Sequence, residues 1–430
     1  MKLRVDLNLP RGERQRHFTD YLNSALRSRT QSYSGSAGMG EDRLFRSTMT
    51  GLFPLNTATA PLTWEMVKDI NGALLYLEVE CTDKDVGEAV WKTAAYEFVT
   101  SVLTAALSDK RRTFFQRVFF EYIGPQLDGE YWLPNYRLAP AFPADTEPFL
   151  INAERILAID MLVSAIDEQN AMVLASEAAR RHAARLSLLL NVGLYAPASF
   201  ESRWVVPVID GKPANESARY HLGFSQPGII VREMPKKGEL CALGQYKGTL
   251  AARYRVAGQL LSLPPQARKI LRGVERADPL VTDAFDRGSR LYQVGLVVGQ
   301  QFPSVGLAYR IAAVEAIAVG GKTASSFAEF MRKHITSTSD LDEILDYMYG
   351  SVRSAHFHSG EFPLGEFARV QFFDPLMDSE SLERSSLHRV CYELTREAIV
   401  NWMSSLVPET HPAESDNAPP TQESGQDETV

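Results

Sequence analysis

The sequence predicts an α+β fold: a mixed α/β region over 1–262, an all-helical segment over 263–406 and a disordered acidic tail over 407–430. Three observations carry this. Strand-like runs alternate with amphipathic helices before residue 262, helical spacing is continuous after Leu263-Pro264, and the segment after Val407 has no Lys or Arg. At 430 residues, with 45% apolar and 23% charged residues, the composition is that of a globular chain with room for two or three domains.

The polar segment RGERQRHFTDYL opens the mixed region as a helix. SYSGSAGMGED (33–43) reads as an exposed loop from its Gly and Ser content. LLYLEV (74–79) reads as a strand. It leads through Thr82-Asp83, good capping residues, into a helix with Val86, Val90, Ala94, Phe98, Val102 and Ala106 on one face. TFFQRVFFEY (113–122) is aromatic-rich and strand-like, 147–192 is expected to be helical, and 204–209 with 220–224 are expected to form a hairpin around Asp210-Gly211. Composition puts an internal break near 195–250, within or beside the sensor or regulatory part that 1–262 would form.

Beyond residue 263, helices are expected over 277–300 and from Pro303, whose ring suits a first turn. Leu307, Ile311, Val314 and Ala318 form one stripe of the second. Ser326 and Glu329 have capping-box spacing. Ser339 is placed to cap a helix carrying Leu341, Ile344, Leu345, Met348 and Val352, and 381–403 forms a last long helix. The acidic tail composition cannot support a core.

Several classes are set aside on composition. Cys81, Cys241 and Cys391 are odd in number and widely spaced, which fits reduced thiols rather than a disulfide framework or zinc cage. The N-terminus lacks a signal-peptide-like apolar run, and no stretch reaches the roughly 18 apolar residues of a membrane span. The nearest, 156–166, carries Asp160. A cytoplasmic protein without membrane contact is the expectation. Six acidic residues after Val407 account for most of the net charge of −8, so the body is close to neutral and lacks the broad basic surface of a non-specific nucleic-acid binder.

The segment YGSVRSAHFHSGEF (349–362) holds the candidate chemistry. Arg353 is expected on the last turn of a helix and His358 in the Gly-containing break after it. A guanidinium pairs with phosphate oxygens, and an imidazole moves protons near neutral pH. RNA carries its own nucleophile, the 2′-hydroxyl, so these two groups can act on it without a metal or other cofactor. The spacing alone is weak, and Arg11 with His17 repeats it in the polar N-terminal helix, where it is taken as a decoy.

Context separates the two. AYRIAAVEAIAVGGKTASSFAEFMRKHI (308–335), then LDEILDYMYGSVRSAHFHSGEF (341–362), then a long closing helix resemble the Apea-like branch of the HEPN domains over 278–406. That resemblance implies a small helical bundle that commonly forms homodimers and carries an Arg-x(4–6)-His motif. Its active members cleave RNA without metal, often in toxin, phage-defence or RNA-processing systems. Arg353 and His358 match the motif, and Glu315 falls where the family's early helix often carries a Glu. Ser354 stands where active members frequently have Asn, Asp or His. Ser359 separates His358 from Gly360. His356 flanks the pair.

Two other functions compete. The segment can be a non-catalytic interaction or nucleotide-binding module, with Arg353 pairing to Glu315 for structure. His356, His358 and Glu361 hint at a metal-dependent enzyme, although a helix is the wrong frame for the strand-based pattern they resemble. Gly321-Lys322-Thr323 resembles the end of a phosphate-binding loop but follows a helix and has Ala316 at the required first Gly.

Overall fold

The computed structural model describes residues 2–7, 12–55, 58–141, 154–195, 202–205, 208–209, 212–213, 218–221, 231–247, 260–336, 339–364, 366–367 and 379–407. The fold is α+β. It divides into two compact units, one made of residues 1–114 and 163–174, the other of 115–162 and 175–430.

The first unit is a five-stranded antiparallel sheet with two helices. Its strands are β1 (Lys2–Asp6), β2 (Gln31–Met39), β3 (Phe45–Pro54), β4 (Thr59–Lys68) and β5 (Leu74–Cys81), in the order β1-β5-β4-β3-β2. Helices α1 (Glu13–Arg29) and α2 (Glu88–Ser108) supply Phe18, Leu22, Leu26, Trp91, Phe98 and Val102 to a core shared with Phe53, Leu62, Trp64, Leu77 and Val79. Phe53, Trp64 and Phe98 meet with ring centroids 5.0–5.3 Å apart.

Two expectations are corrected in this unit. Segment 33–43 is not a loop up to Met39: it forms edge strand β2, exposed at every position, because β3 completes its hydrogen-bond ladder. Thr82 and Asp83 do not cap α2, which starts after Gly87. Asp83 instead accepts from the Asp85 amide at 2.9 Å, closing a local turn. The buried face of α2 is accordingly Trp91, Ala95, Phe98, Val99 and Val102, and Val90 is exposed.

The second unit begins with a sheet of β6 (Arg112–Ile123), β7 (Tyr131–Trp132), β8 (Tyr136–Pro140) and β9 (Glu154–Ala165) in the order β6-β9-β8-β7. The helix expected over 147–192 is therefore split. Residues 147–153 lie outside the described residues, β9 follows, and α3 (Glu168–Leu190) is the only helical part. A short apolar run does not reveal its period. Pairing of 157–161 with 136–140 makes this one a strand.

Asp160, at the centre of β9, is fully buried with Arg137 and Glu130. Arg137 donates to Asp160 at 2.7 Å and Glu130 at 2.5 Å, and Arg117 adds a two-point pair to Asp160 at 2.6 and 2.8 Å. Glu130 also accepts from Trp132 Nε1 at 3.1 Å and from the Gly238 amide, which ties segment 231–247 to this sheet.

Short strands β10 (Ser202–Val205) and β13 (Ala218–His221) pair around β11 (Val208–Ile209) and β12 (Lys212–Pro213). The hairpin expected here is thus a nested pair of ladders, with Asp210-Gly211 and 222–224 outside the described residues.

The helical part contains α4 (Ala267–Arg276), α5 (Pro279–Val298), α6 (Pro303–Ala318), α7 (Phe327–His334), α8 (Leu341–Asp346), a π-helix (Tyr347–Ser359) and α9 (Ser379–Ser405). Helix α6 is buried around most of its circumference and packs on α5, α7, α9 and the π-helix, which makes it the axis of this region. Asp278 caps α5, and Ser326 accepts from the Glu329 amide at 3.2 Å as its spacing predicts. Ser339 is not the next cap: Asp340 takes that position in the left-handed region and makes no side-chain cap bond. Arg396 of α9 donates to the Leu188 and Leu189 carbonyls at the end of α3, where a cation suits the helix terminus.

Helices α5 and α6 approach closely through Gly295, Gly299 and Gly306. A Cβ on Gly306 would stand 2.6 Å from Gly299 Cα and 2.9 Å from both the Gly295 carbonyl and Tyr392 Oη. Gly306→Ala should therefore lower stability by about 1–3 kcal/mol despite its better helix propensity, because backbone cannot give way. Urea unfolding checks this, and an unchanged midpoint would refute the close-packing account.

His182 of α3 is buried against Tyr136, with ring centroids 4.0 Å apart, and His388 of α9 lies on the Pro303 carbonyl at 2.9 Å. Burial holds His182 down to about 3, with help from Arg185 and Arg181; burial holds His388 to about 4 against its carbonyl bond. Both folded values lie below the unfolded histidine value of about 6.5. As pH falls through about 6.5, the unfolded chain gains protons that the folded chain does not. Stability should then drop by up to about 1.4 kcal/mol per pH unit for each histidine. His182→Gln should flatten that slope between about pH 6.5 and 4, measured by urea unfolding at several pH values. An unaltered slope would count against a neutral buried His182.

The three cysteines are free, Cys391 buried and the other two half-buried. No helix among the described residues is long and apolar enough to cross a membrane.

Candidate functional site

Arg353 and His358 both lie on the π-helix, which follows α8 directly and ends at Gly360. This corrects the expected break: the helix runs through His358, and Gly360, at φ 68°, terminates it with its amide on the Ala355 and His356 carbonyls. Leu345, Met348 and Val352 are buried and fix which face points inward, while Leu341 and Ile344 are only half-buried.

The winding matters for the pair. In an α-helix, residues five apart are rotated about 140° from each other. In a π-helix the i→i+5 hydrogen bond stacks them about one turn apart. Arg353 and His358 are five apart, so this winding sets their backbone positions nearer one face than an α-helix would.

The Arg353 guanidinium is set from α6. Its Nε and Nη2 both donate to Glu315 Oε2, at 3.1 and 3.0 Å, and its side chain is 25% exposed. Tyr349 and Phe357, four residues to either side, stand 5.3 and 5.9 Å from its carbon. Nη1 makes no bond among the described residues and is the donor left for a ligand.

His358 is exposed and has no hydrogen-bond partner among the described residues. His356 is half-buried. Its Nδ1 donates to the Glu361 carbonyl at 3.3 Å, and its ring meets Phe357 and Phe362 at 5.2 and 5.3 Å. That bond fixes its ring and leaves Nε2 unused. Ser354 is half-buried and makes no hydrogen bond among the described residues. The structure thus joins Arg353 to Glu315, places His358 on the same helix and gives Ser354 no polar partner.

Exposed aromatic rings were not singled out from the sequence. Tyr349 and Phe357 are 43% and 44% exposed, and Phe357 meets Tyr309 edge-on at 5.7 Å. Their i±4 relation to Arg353 was the available signal.

The alternative sites fare differently. His17 accepts from Arg111 Nη2 at 2.6 Å, while Arg11 lies outside the described residues. Gly321-Lys322-Thr323 closes the C-terminus of α6, with Thr323 bonding the Ala318 carbonyl, so it meets carbonyls rather than the free amides a phosphate needs. No group of three or more His, Cys, Asp or Glu side chains placed to hold a metal occurs among the described residues.

No known family, curated protein or solved structure matches this chain in comparison.

Proposed function

We propose that the chain is a metal-independent endoribonuclease of the HEPN type, acting through Arg353 and His358 and working as a homodimer through its helical region. The feature that supports it best is the π-helix, which carries Arg353 and the exposed His358 at the i→i+5 spacing of its own hydrogen bonds. Exposed Tyr349 and Phe357 beside them offer ring faces on which unpaired bases can stack, the usual mode of single-stranded RNA recognition.

In this reaction the ribose 2′-oxygen attacks the adjacent phosphorus while its proton passes to a base. The bond from phosphorus to the 5′-oxygen breaks, and that oxygen leaves with a proton from an acid. Arg353 Nη1 steadies the charge on the non-bridging oxygens. One imidazole serves one of the two proton transfers, so a second copy of the chain would supply the other. Glu315 is a positioning residue, fixing the guanidinium through its Nε edge.

The test is cleavage of a mixed-sequence RNA in EDTA by the full chain. Fragments should end in 2′,3′-cyclic phosphate, and His358→Ala should form them far more slowly. Equal cleavage by wild type and His358→Ala would end this assignment.

The Arg353–Glu315 pair favours a second reading, a non-catalytic interaction or nucleotide-binding module, since a guanidinium already neutralised attracts phosphate less strongly. In that case Arg353→Ala weakens folding or dimerisation and wild type cleaves no RNA.

A further inference from the structure

A second polar centre lies in the helical region, formed by residues the proposed reaction does not use. A cavity of about 190 Å³ is lined by Ile123, Asn191, Val192, Leu296, Gln300 and Arg310, with Tyr392 beside them. Arg310 is 9% exposed. Its Nε is buried with no hydrogen-bond partner, and no carboxylate pairs with it among the described residues. What it has instead is aromatic: its guanidinium carbon stands 3.9 Å from the Tyr392 ring centroid and 5.0 Å from that of Tyr292.

Ring faces offset part of the cost of burying a cation, but a buried guanidinium is normally completed by an anion. The neighbouring groups do not complete it. Arg396, also buried, has its donors on the Leu188 and Leu189 carbonyls and adds positive potential. Glu366 has its two oxygens on the Ser304 amide and hydroxyl, at 2.6 and 2.8 Å. The tyrosines hold Arg310 against the cavity, so its orientation is fixed before any ligand arrives.

We infer that this cavity binds a small organic monocarboxylate, its anionic head on Arg310 and its short apolar body against Ile123, Val192 and Leu296. One guanidinium matches one carboxylate in charge and in its two-oxygen geometry. A phosphate dianion would carry surplus charge and leave the apolar wall without a partner. The volume is below the roughly 300–1,000 Å³ of pockets for drug-sized molecules, which sets the ligand at a few carbons.

The test is isothermal titration of the full chain with sodium butyrate, beside 1-butanol, inorganic phosphate and sodium chloride at matched ionic strength. Butyrate should bind at one site per chain and raise the thermal midpoint, and the other three should not. Arg310→Met should weaken butyrate binding at least about tenfold. Ile123→Trp, at the partly exposed rim, should do the same while leaving the fold intact, which keeps the test open if Arg310→Met does not fold. Absence of butyrate binding overturns the inference. So does binding of phosphate in its place, or butyrate binding by both variants at wild-type strength.

Discussion

Asp160→Ala should lower the stability of this protein by about 3–5 kcal/mol, more than the Gly306→Ala change at the helix contact. The carboxylate is fully buried and accepts from two arginines, Arg117 through both its oxygens and Arg137 through one. Removing it leaves Arg137, 1% exposed, with Glu130 as its remaining acid and Arg117 with none among the described residues. An unpaired charge in that position costs more than the pair itself contributes. Asp342→Ala is the contrast. Its partner Arg332 and Asp342 are 54% and 77% exposed, so loss of that pair should cost about 0–1 kcal/mol. Urea unfolding of the two variants measures the difference. A cost below about 1 kcal/mol for Asp160→Ala would mean that the network is open to water.

His358→Ala should reduce RNA cleavage by about 10²–10⁴-fold, the range that one general acid or base contributes. The same change should move stability by no more than about 0.5 kcal/mol, because the imidazole is exposed and bonds to nothing among the described residues. The two readouts separate chemistry from folding. Arg353→Ala is less clean, since it also strips Glu315 of its partner and two aromatic rings of their neighbour. Measuring initial cleavage rates and unfolding midpoints on one preparation decides the matter. A fall in rate matched by a fall in stability would mark His358 as structural.

The sequence made much of this legible where local chemistry decides the structure. Pro303 at a first turn and the 307/311/314/318 stripe appear as read, and Ser326 caps α7, although the Glu329 carboxylate accepts from Ser325 and not from the Ser326 amide of a full capping box. Helix–strand choices failed where a partner decides. Gln31–Met39 has poor strand composition and becomes a strand because β3 is beside it. Glu154–Ala165 becomes one through β8 and β6. Asp160 was conspicuous as a charge in an apolar run, but its two partners lie 23 and 43 positions away and could not be identified from spacing. Glu315 and Arg353 were paired in expectation and are paired in space. The π-winding was not legible, since the 345/348/352 apolar spacing is that of an ordinary helix. Arg310 also gave a signal, the lone cation of the largely apolar run GLAYRIAAVEAIA, whose meaning emerges only with the cavity beside it.

Strand β2 has a consequence for handling the protein. It borders the five-stranded sheet with nine exposed residues, carries no Lys, Arg, Pro or acidic side chain, and is interrupted by a register shift between Gln31 and Ser34. Its outward amides and carbonyls face no further strand among the described residues, and another extended peptide can pair with them. Stock solutions kept dilute, and salt chosen to preserve charge repulsion between molecules, follow directly from that uncharged border.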